Sequence, residues 1–350
     1  MASPAGALPV ILLLLVVSCC RRISGAFPAA DALRRVAPRA GGLCEQLLLP
    51  LRYPCTEHTV ETKDGFLLSL QHIPYGKNKA NDSTGPPVFL QHGLFQGGDT
   101  WFINSPEQSL GYILADNGFD VWIGNVRGTR WSKGHTTFSV HDKLFWDWSW
   151  QELAEYDLLA MLGYVYTVTQ SKILYVGHSQ GTIMGLAALT MPEIVKMISS
   201  AALLCPISYL DNVSARFVLR AVAMHFDQGK TVASIHQGLI IIWMIRKGTF
   251  AKYDYGLLGN LRHYGLLRPP AFDLSSIPES LPVWMGYGGL DALADVTDVQ
   301  RTIKELRSTP ELLYVGDYGH IDFVMSVKAK NDVYVDLIRF LRENGWHSSY

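Results

Sequence analysis

The chain has 350 residues, of which 48% are hydrophobic and 17% are charged. This length and composition are those of an ordinary globular protein that can bury one large core, with or without an inserted subdomain. The formal net charge is −1 and the basic residues are scattered along the chain, so the sequence gives no sign of a nucleic-acid-binding protein.

The N-terminus begins with an apolar run from Leu8 to Cys20. The run is short for a membrane span, and the small residues Ser24-Gly25-Ala26 offer a cleavage site, so residues 1–26 are predicted to be a secretory signal peptide. Because no Lys or Arg precedes the run, a buried N-terminal helix or a short membrane anchor is the alternative. No later segment predicts a transmembrane helix.

Two further features agree with secretion. Asn81 and Asn212 each begin an Asn-x-Ser triplet and are predicted glycosylation sites. Cys44 and Cys55 are close in sequence and are predicted to form a disulfide, which leaves Cys205 as a small buried apolar side chain. We therefore expect a secreted protein, or one in the lumen of an endomembrane compartment such as the vacuole or lysosome.

Strand and helix patterns alternate from residue 58 onward. The segments His58 to Lys63 and Phe66 to Ile73 flank Asp64-Gly65, a turn signal that predicts a β-hairpin. Further strands are predicted at 88–91, 119–126, 173–176, 198–205, 282–287 and 312–315, with helices at 106–117, 150–169, from the 177–181 motif to 190, 295–306 and 329–342. This alternation predicts an α/β fold with a mostly parallel sheet and helices on both faces.

The alternation stops between residues 206 and 281. That stretch has the pattern of helices and loops, and its position predicts an inserted helical cap over the edge of the sheet. The expected domains are a core formed by residues 27–206 and 277–350, and a cap formed by residues 207–276.

The motif Gly177-His178-Ser179-Gln180-Gly181 lies between a predicted strand and a predicted helix. G-x-S-x-G by itself is weak evidence in a chain with 31 glycines. Between a strand and a helix, however, it indicates a sharp turn that presents the serine hydroxyl above the sheet. Ser179 is therefore the predicted nucleophile.

A serine nucleophile needs a base and an acid, which in this architecture follow it in the order Ser, acid, His. Asp291 is the first carboxylate after the strand at 282–287 and is the predicted acid, with a helix N-cap as its alternative role. Asp295 and Asp298 are better explained as helix starters. His320 follows the strand at 312–315 and is the predicted base, with an ordinary loop histidine as the alternative.

The predicted oxyanion hole consists of the backbone N–H groups of Gln180, after the nucleophile, and Leu94, in the loop after strand 88–91. His92 and His178 are expected to pack or donate hydrogen bonds rather than act as the base. The sequence has no Cys/His/Asp set at metal-ligand spacing and no nucleotide-binding motif, so neither a metal nor another cofactor is predicted.

With these residues identified, the chain resembles the acid lipase family of α/β-hydrolases, in particular the gastric and lysosomal lipases and the plant triacylglycerol lipases. The similar segments cover most of the chain and are HTVETKDGFLLSLQHIPY, LQHGL, GFDVWIGNVRGTRWSKGH, FWDWSWQELAEYDL, GHSQGT, GGLDALADVTDV and YGHIDFV. The resemblance implies that Ser179, Asp291 and His320 form the catalytic triad.

The interval between Ser179 and Asp291 is shorter than in this family by several tens of residues, which implies a shortened cap. The resemblance implies a serine hydrolase that cleaves lipid esters, a triacylglycerol lipase in lipid catabolism that contacts a lipid surface. The alternatives are a carboxylesterase or acyltransferase with soluble substrates, or a cap-truncated form that binds lipid with little activity. The sequence does not predict the oligomeric state.

Overall fold

The structure is a computed structural model that describes residues 41–77, 85–215 and 248–345. The predicted signal peptide, the predicted glycosylation site Asn81 and the middle of the predicted cap lie outside these residues. Among the residues described, no helix is both long and apolar enough to cross a bilayer.

A nine-stranded sheet organises the described part of the chain. Its spatial order is β1-β2-β4-β3-β6-β7-β8-β9, and the short β5 pairs with β2. The strands are β1 (Thr56–Glu61), β2 (Phe66–Ile73), β3 (Pro87–Gln91), β4 (Asp120–Gly124), β5 (Gly134–His135), β6 (Ile173–His178), β7 (Ile198–Leu204), β8 (Val283–Gly288) and β9 (Glu311–Val315).

The first two strands form the hairpin predicted around Asp64-Gly65. Gly65 adopts a φ of +90°, a backbone conformation that glycine reaches without strain. β1 pairs antiparallel with β2 and β2 pairs antiparallel with β4, whereas every pairing from β4 to β9 along the sheet is parallel. The mostly parallel sheet predicted from the sequence is therefore confirmed.

Burial identifies the centre of the sheet. Every residue of β3, β4, β6 and β8 is buried, as expected when both faces of a parallel sheet are covered. β9 is the edge strand, and all five of its residues are partly or fully exposed. The carboxyl ends of β6, β7, β8 and β9 lie along one edge of the sheet, where loops can bring distant residues together.

The α-helices, with the helical segments contiguous with them, are in chain order α1 (Leu110–Asp116), α2 (three contiguous segments, Trp150–Glu152, Leu153–Leu158 and Leu159–Thr169), α3 (Gln180–Ala188), α4 (Pro192–Val195), α5 (Gly256–Tyr264), α6 (Val296–Glu305), α7 (Asp322–Met325) and α8 (two contiguous segments, Lys330–Tyr334 and Val335–Gly345). The helix predicted at 106–117 begins later than expected. Ser109 is extended, with φ −90° and ψ 130°, and its hydroxyl donates to the carbonyl of Asn104. A turn therefore replaces the first predicted helical residues.

The chain leaves the sheet at the end of β7 and returns at β8, and the assignment of the segment between them to an inserted cap stays a prediction. The described part of this segment contains α5, which the sequence did not predict as a separate helix. The residues just before α5 contact the core: the N–H of Tyr253 donates to the side chain of Gln151 at 2.6 Å, and Phe250 stacks on Trp150.

The cysteines of the described chain differ in environment. Cys44 and Cys55 form a disulfide that links a short helical turn to the start of β1. Cys205 is a free, fully buried thiol at the end of β7.

Candidate active site

Ser179 lies on a sharp turn between β6 and α3. Its φ of 54° and ψ of −115° are unusual for a residue with a side chain. A Cβ atom on Gly181 would lie 2.4 Å from the carbonyl oxygen of Gln91, and one on Gly177 would lie 2.8 Å from the backbone of Gly181. The two glycines of the motif therefore let helix and strand approach closely enough to form the turn.

Loops after β6, β8 and β9 bring Ser179, Asp291 and His320 together. The Ser179 hydroxyl lies 2.7 Å from Nε2 of His320. On the other side of the ring, Nδ1 lies 2.8 Å and 3.1 Å from the two carboxylate oxygens of Asp291. With the ring proton on Nδ1, His320 donates to Asp291 and accepts from Ser179, which is the arrangement in which an imidazole can remove the serine proton.

Asp291 also caps the turn that follows it. One of its oxygens accepts the N–H groups of Leu293 and Ala294, each at 2.8 Å. Burial alone would raise the pKa of this carboxyl, but the attraction and hydrogen bond of His320 and these two N–H donors outweigh burial and hold the pKa below its usual range. The two roles considered for Asp291 are thus compatible.

The lowered pKa of Asp291 predicts a pH dependence of stability. Because the folded-state pKa lies below the ordinary value of 3.8, the stabilisation by Asp291 is complete above that pH and is lost as the pH falls through the lower, folded-state pKa. We expect the difference in unfolding free energy between wild type and Asp291→Asn to shrink in acid. Urea titrations between about pH 6 and pH 2 measure it, and a constant difference would contradict the prediction.

The loop after β3 approaches the serine turn from the other side. A Cβ on Gly93 would lie 3.1 Å from Cβ of Ser179, so only a residue without a side chain fits easily there. Within the described chain, the backbone N–H groups of Leu94 and Gln180 donate to no protein acceptor. They are therefore available to a ligand, and their role as an oxyanion hole stays a prediction.

His92 is buried beneath this loop. Its Nδ1 donates to the carbonyl of Gly93 at 2.8 Å, and its Nε2 accepts the N–H of Val126 at 3.3 Å. Both ring nitrogens are thus used to hold the loop to the end of β4. This agrees with the expected structural role of His92.

The side chains of His178 and Cys205 make contacts with the main chain of His320 that were not predicted from the sequence. Nε2 of His178 donates to the main-chain carbonyl of His320 at 3.0 Å, and the thiol of Cys205 donates to the same oxygen at 3.2 Å. Cys205 is buried, as expected, but it makes a polar contact rather than acting only as an apolar side chain. No local pattern signals these contacts, because they join residues more than a hundred positions apart.

Cys205, Asp291 and His320 also form the one group of His, Cys and acidic side chains within the described residues that lie close enough to share a metal ion. Burial raises the pKa of the Cys205 thiol well above its usual value, and the neighbouring Asp291 carboxylate raises it further. A protonated thiol is a hydrogen-bond donor and a poor metal ligand. The grouping is therefore better explained by the hydrogen bonds of the triad.

The predicted glycosylation site Asn212 lies in an exposed turn after β7. Its backbone N–H and side-chain amide donate to the two oxygens of Asp298, at 2.9 and 2.8 Å. Asp298 is buried and holds this turn to α6, so its role exceeds that of the simple helix starter expected from sequence. Asp295 does cap the helix, because it accepts the N–H of Thr297. Glycosylation at Asn212 stays a prediction.

Comparisons with known proteins agree with this geometry. A family profile described as the partial α/β-hydrolase lipase region matches residues 44–105, and one described as the α/β-hydrolase fold matches residues 86–230. Triacylglycerol lipase 1 of Arabidopsis thaliana is 50% identical, with 88% of this chain and 92% of the relative covered. Triacylglycerol lipase 2 of the same plant is 33% identical, with 87% and 88% covered.

The alignment with triacylglycerol lipase 1 extends over 364 positions, more than the 350 residues of this chain, so the relative has internal residues that this chain lacks. Among solved structures, a soluble variant of monoglyceride lipase from Saccharomyces cerevisiae aligns with a TM-score of 0.54 at 16% identity. The alignment covers 84% of this chain and 99% of that one. The latter similarity shows the shared fold.

Proposed function

The chain belongs to the acid lipase family of α/β-hydrolases, and we propose that it hydrolyses the ester bonds of acylglycerols through Ser179, His320 and Asp291. The observation that carries this proposal is the continuous hydrogen-bonded series from the Ser179 hydroxyl through the His320 ring to the Asp291 carboxylate. These side chains meet at the carboxyl edge of the sheet, where this fold binds its substrates.

The reaction proceeds through an acyl-enzyme. Nε2 of His320 takes the proton of Ser179 as the hydroxyl oxygen attacks the ester carbonyl, and Asp291 stabilises the imidazolium that forms. The ring then gives its proton to the departing alcohol. A water molecule, activated by the same ring, attacks the acyl-serine and releases the fatty acid.

The N–H groups of Leu94 and Gln180 are assigned to the negative oxygen of each tetrahedral intermediate. Two observations support the assignment: neither group has a protein acceptor in the described chain, and both flank the serine turn. Removal of one such donor typically lowers kcat by about 10²–10³-fold.

The substrate class rests on the relatives, whose names describe triacylglycerol lipases, and on the surface near the triad. Leu290, directly before Asp291, is 68% exposed, and Phe95, directly after Leu94, is 41% exposed. Exposed apolar side chains beside a hydrolytic site suit a substrate presented at a lipid surface. The disulfide favours an oxidising compartment, so we place the protein outside the cell or in an endomembrane lumen.

We further propose that residues 207–276 form the cap over this site and that the residues missing relative to the plant lipase are cap residues. The support is the position of this segment between β7 and β8 and the short interval between Ser179 and Asp291. The core, formed by residues 27–206 and 277–350, contains the whole triad. A short cap leaves the chemistry in place and alters access of long acyl chains.

The test is hydrolysis of a graded set of substrates by the full chain: p-nitrophenyl butyrate, p-nitrophenyl palmitate and emulsified triolein. We expect turnover of all three and loss of turnover after treatment with an organophosphonate. Turnover of the butyrate alone would make the protein a carboxylesterase, and ester formation with an added alcohol would make it an acyltransferase. Folded protein that binds lipid but neither labels nor turns over would contradict the proposal.

A further inference from the structure

The main-chain carbonyl of His320 accepts two hydrogen bonds from the ends of two neighbouring strands. His178 at the end of β6 and Cys205 at the end of β7 donate to it at 3.0 and 3.2 Å. Both donors are fully buried, with exposed fractions of 1% and 0%. If the carbonyl moved away, each donor would be left buried without a partner, which is costly, so the two hydrogen bonds favour one position of the carbonyl.

His178 is suited to a single task. Its Nδ1 is buried without a hydrogen-bond partner in the described chain, so the proton lies on Nε2 and points at the His320 carbonyl. Burial, reinforced by the neighbouring His320, lowers the pKa of His178 to about 3. The ring thus stays neutral and does not compete with His320 for the serine proton.

Cys205 is held in place by its backbone. It adopts a φ of 53°, which is unfavourable for a residue with a side chain and persists only where the surroundings enforce it. Its N–H donates to the carbonyl of Gly286 in β8 at 2.8 Å, while the N–H of Ser179 donates to Leu204 directly before it. The thiol also lies beside the Asp291 carboxylate, which is a second acceptor for its proton, so Cys205 contacts both triad partners of Ser179.

We propose that His178 and Cys205 are positioning residues that hold the His320 carbonyl and thereby keep its ring between Ser179 and Asp291. His320 lies in the loop between the exposed edge strand β9 and α7. The two donors connect that loop to the end of β6, which carries the nucleophile, and to the end of the neighbouring strand β7. This inference rests on the proposed triad.

The experiment measures kcat and KM for p-nitrophenyl butyrate in Cys205→Ala and His178→Leu. The concentration of active sites in each preparation is determined by complete labelling with an organophosphonate, and kcat is expressed per active site. We expect each variant to lose about tenfold in kcat, the size of one buried hydrogen bond, with KM unchanged. His178→Gln places an amide N–H near the position of Nε2 and Cys205→Ser restores a donor, so both are expected to recover part of the lost rate.

Ser200→Ala is the matched control, because Ser200 is a buried residue of the same strand whose hydroxyl has no partner in the described chain. Its kcat per titrated site should equal that of wild type. A role in folding alone would lower the titratable fraction or the melting temperature without changing kcat per site, and that result would overturn the inference. Wild-type protein that neither labels nor turns over would instead refute the proposed function.

Discussion

Replacing Ser179 with alanine is expected to lower kcat for ester hydrolysis by about 10⁶-fold, the loss found when a serine of such a triad is removed. The reason is geometric. The Ser179 hydroxyl is the oxygen 2.7 Å from Nε2 of His320, and a methyl group there can neither be deprotonated nor form an acyl-enzyme. Residual hydrolysis would reflect substrate binding and the free N–H groups of Leu94 and Gln180.

Substitutions of Ser179 are expected to affect catalysis and stability differently. Because φ of Ser179 is 54°, Ser179→Gly should relieve backbone strain and be more stable than Ser179→Ala by about 1 kcal/mol, while both are inactive. Thermal unfolding and a phosphonate label measure the two effects. Ser199→Ala serves as the active control, because Ser199 lies near the amino end of β7, at the edge of the sheet opposite the triad. Retention of label or rate in Ser179→Ala would assign the activity to another residue.

The nucleophile turn could be predicted because its signal is local. A strand, a serine between two glycines and a helix follow one another, and the close contact of Gly181 with the Gln91 carbonyl explains the second glycine. The placement of Asp291 and His320 also followed from local patterns, since each comes directly after a strand whose end lies at the same edge of the sheet.

The supports of the site could not be predicted, because they join residues that are distant in sequence. His178 and Cys205 meet His320 only after β6, β7 and β9 have taken their places in the sheet. The helix Gly256–Tyr264 lies in the stretch for which the sequence predicted helices and loops without bounds. Its three leucines, at 257, 258 and 261, fall on one side of the helix, but Gly256 and Gly259 interrupt the pattern and weaken the signal of a continuous helix.

Arg127 is the buried charge with the largest expected effect on stability. Its side chain is fully buried and donates to Asp157 at 2.7 Å and to both oxygens of Asp64, in the β1–β2 turn, at 2.5 and 2.9 Å. Its N–H also donates to Asp157, and the guanidinium lies 3.9 Å from the ring centre of Phe66. Burial alone would lower the pKa of Arg127, but its acidic partners outweigh burial, so the guanidinium stays charged.

We expect Arg127→Met to lower the free energy of unfolding by about 3–5 kcal/mol, because Asp157 is then left buried without its counter-charge. Urea unfolding measures the change. Arg339→Ala is the control: Arg339 contacts Glu311, Asp336 and Glu343, but its side chain is 44% exposed, so water screens these pairs and the loss should stay below about 1 kcal/mol.

The cause of the loss can be separated from loss of packing by a second substitution. If the unpaired carboxylate is responsible, Arg127→Met combined with Asp157→Asn should be more stable than Arg127→Met alone, since no buried charge is left without a partner and the amide oxygen can still accept the N–H of residue 127. If the double variant is no more stable than Arg127→Met, the unpaired carboxylate is not the cause, and the loss comes from the other contacts of Arg127, with Phe66 and the Asp64 turn. In that case Arg127 stabilises the protein mainly by holding the β1–β2 hairpin in place, rather than by neutralising the charge of Asp157.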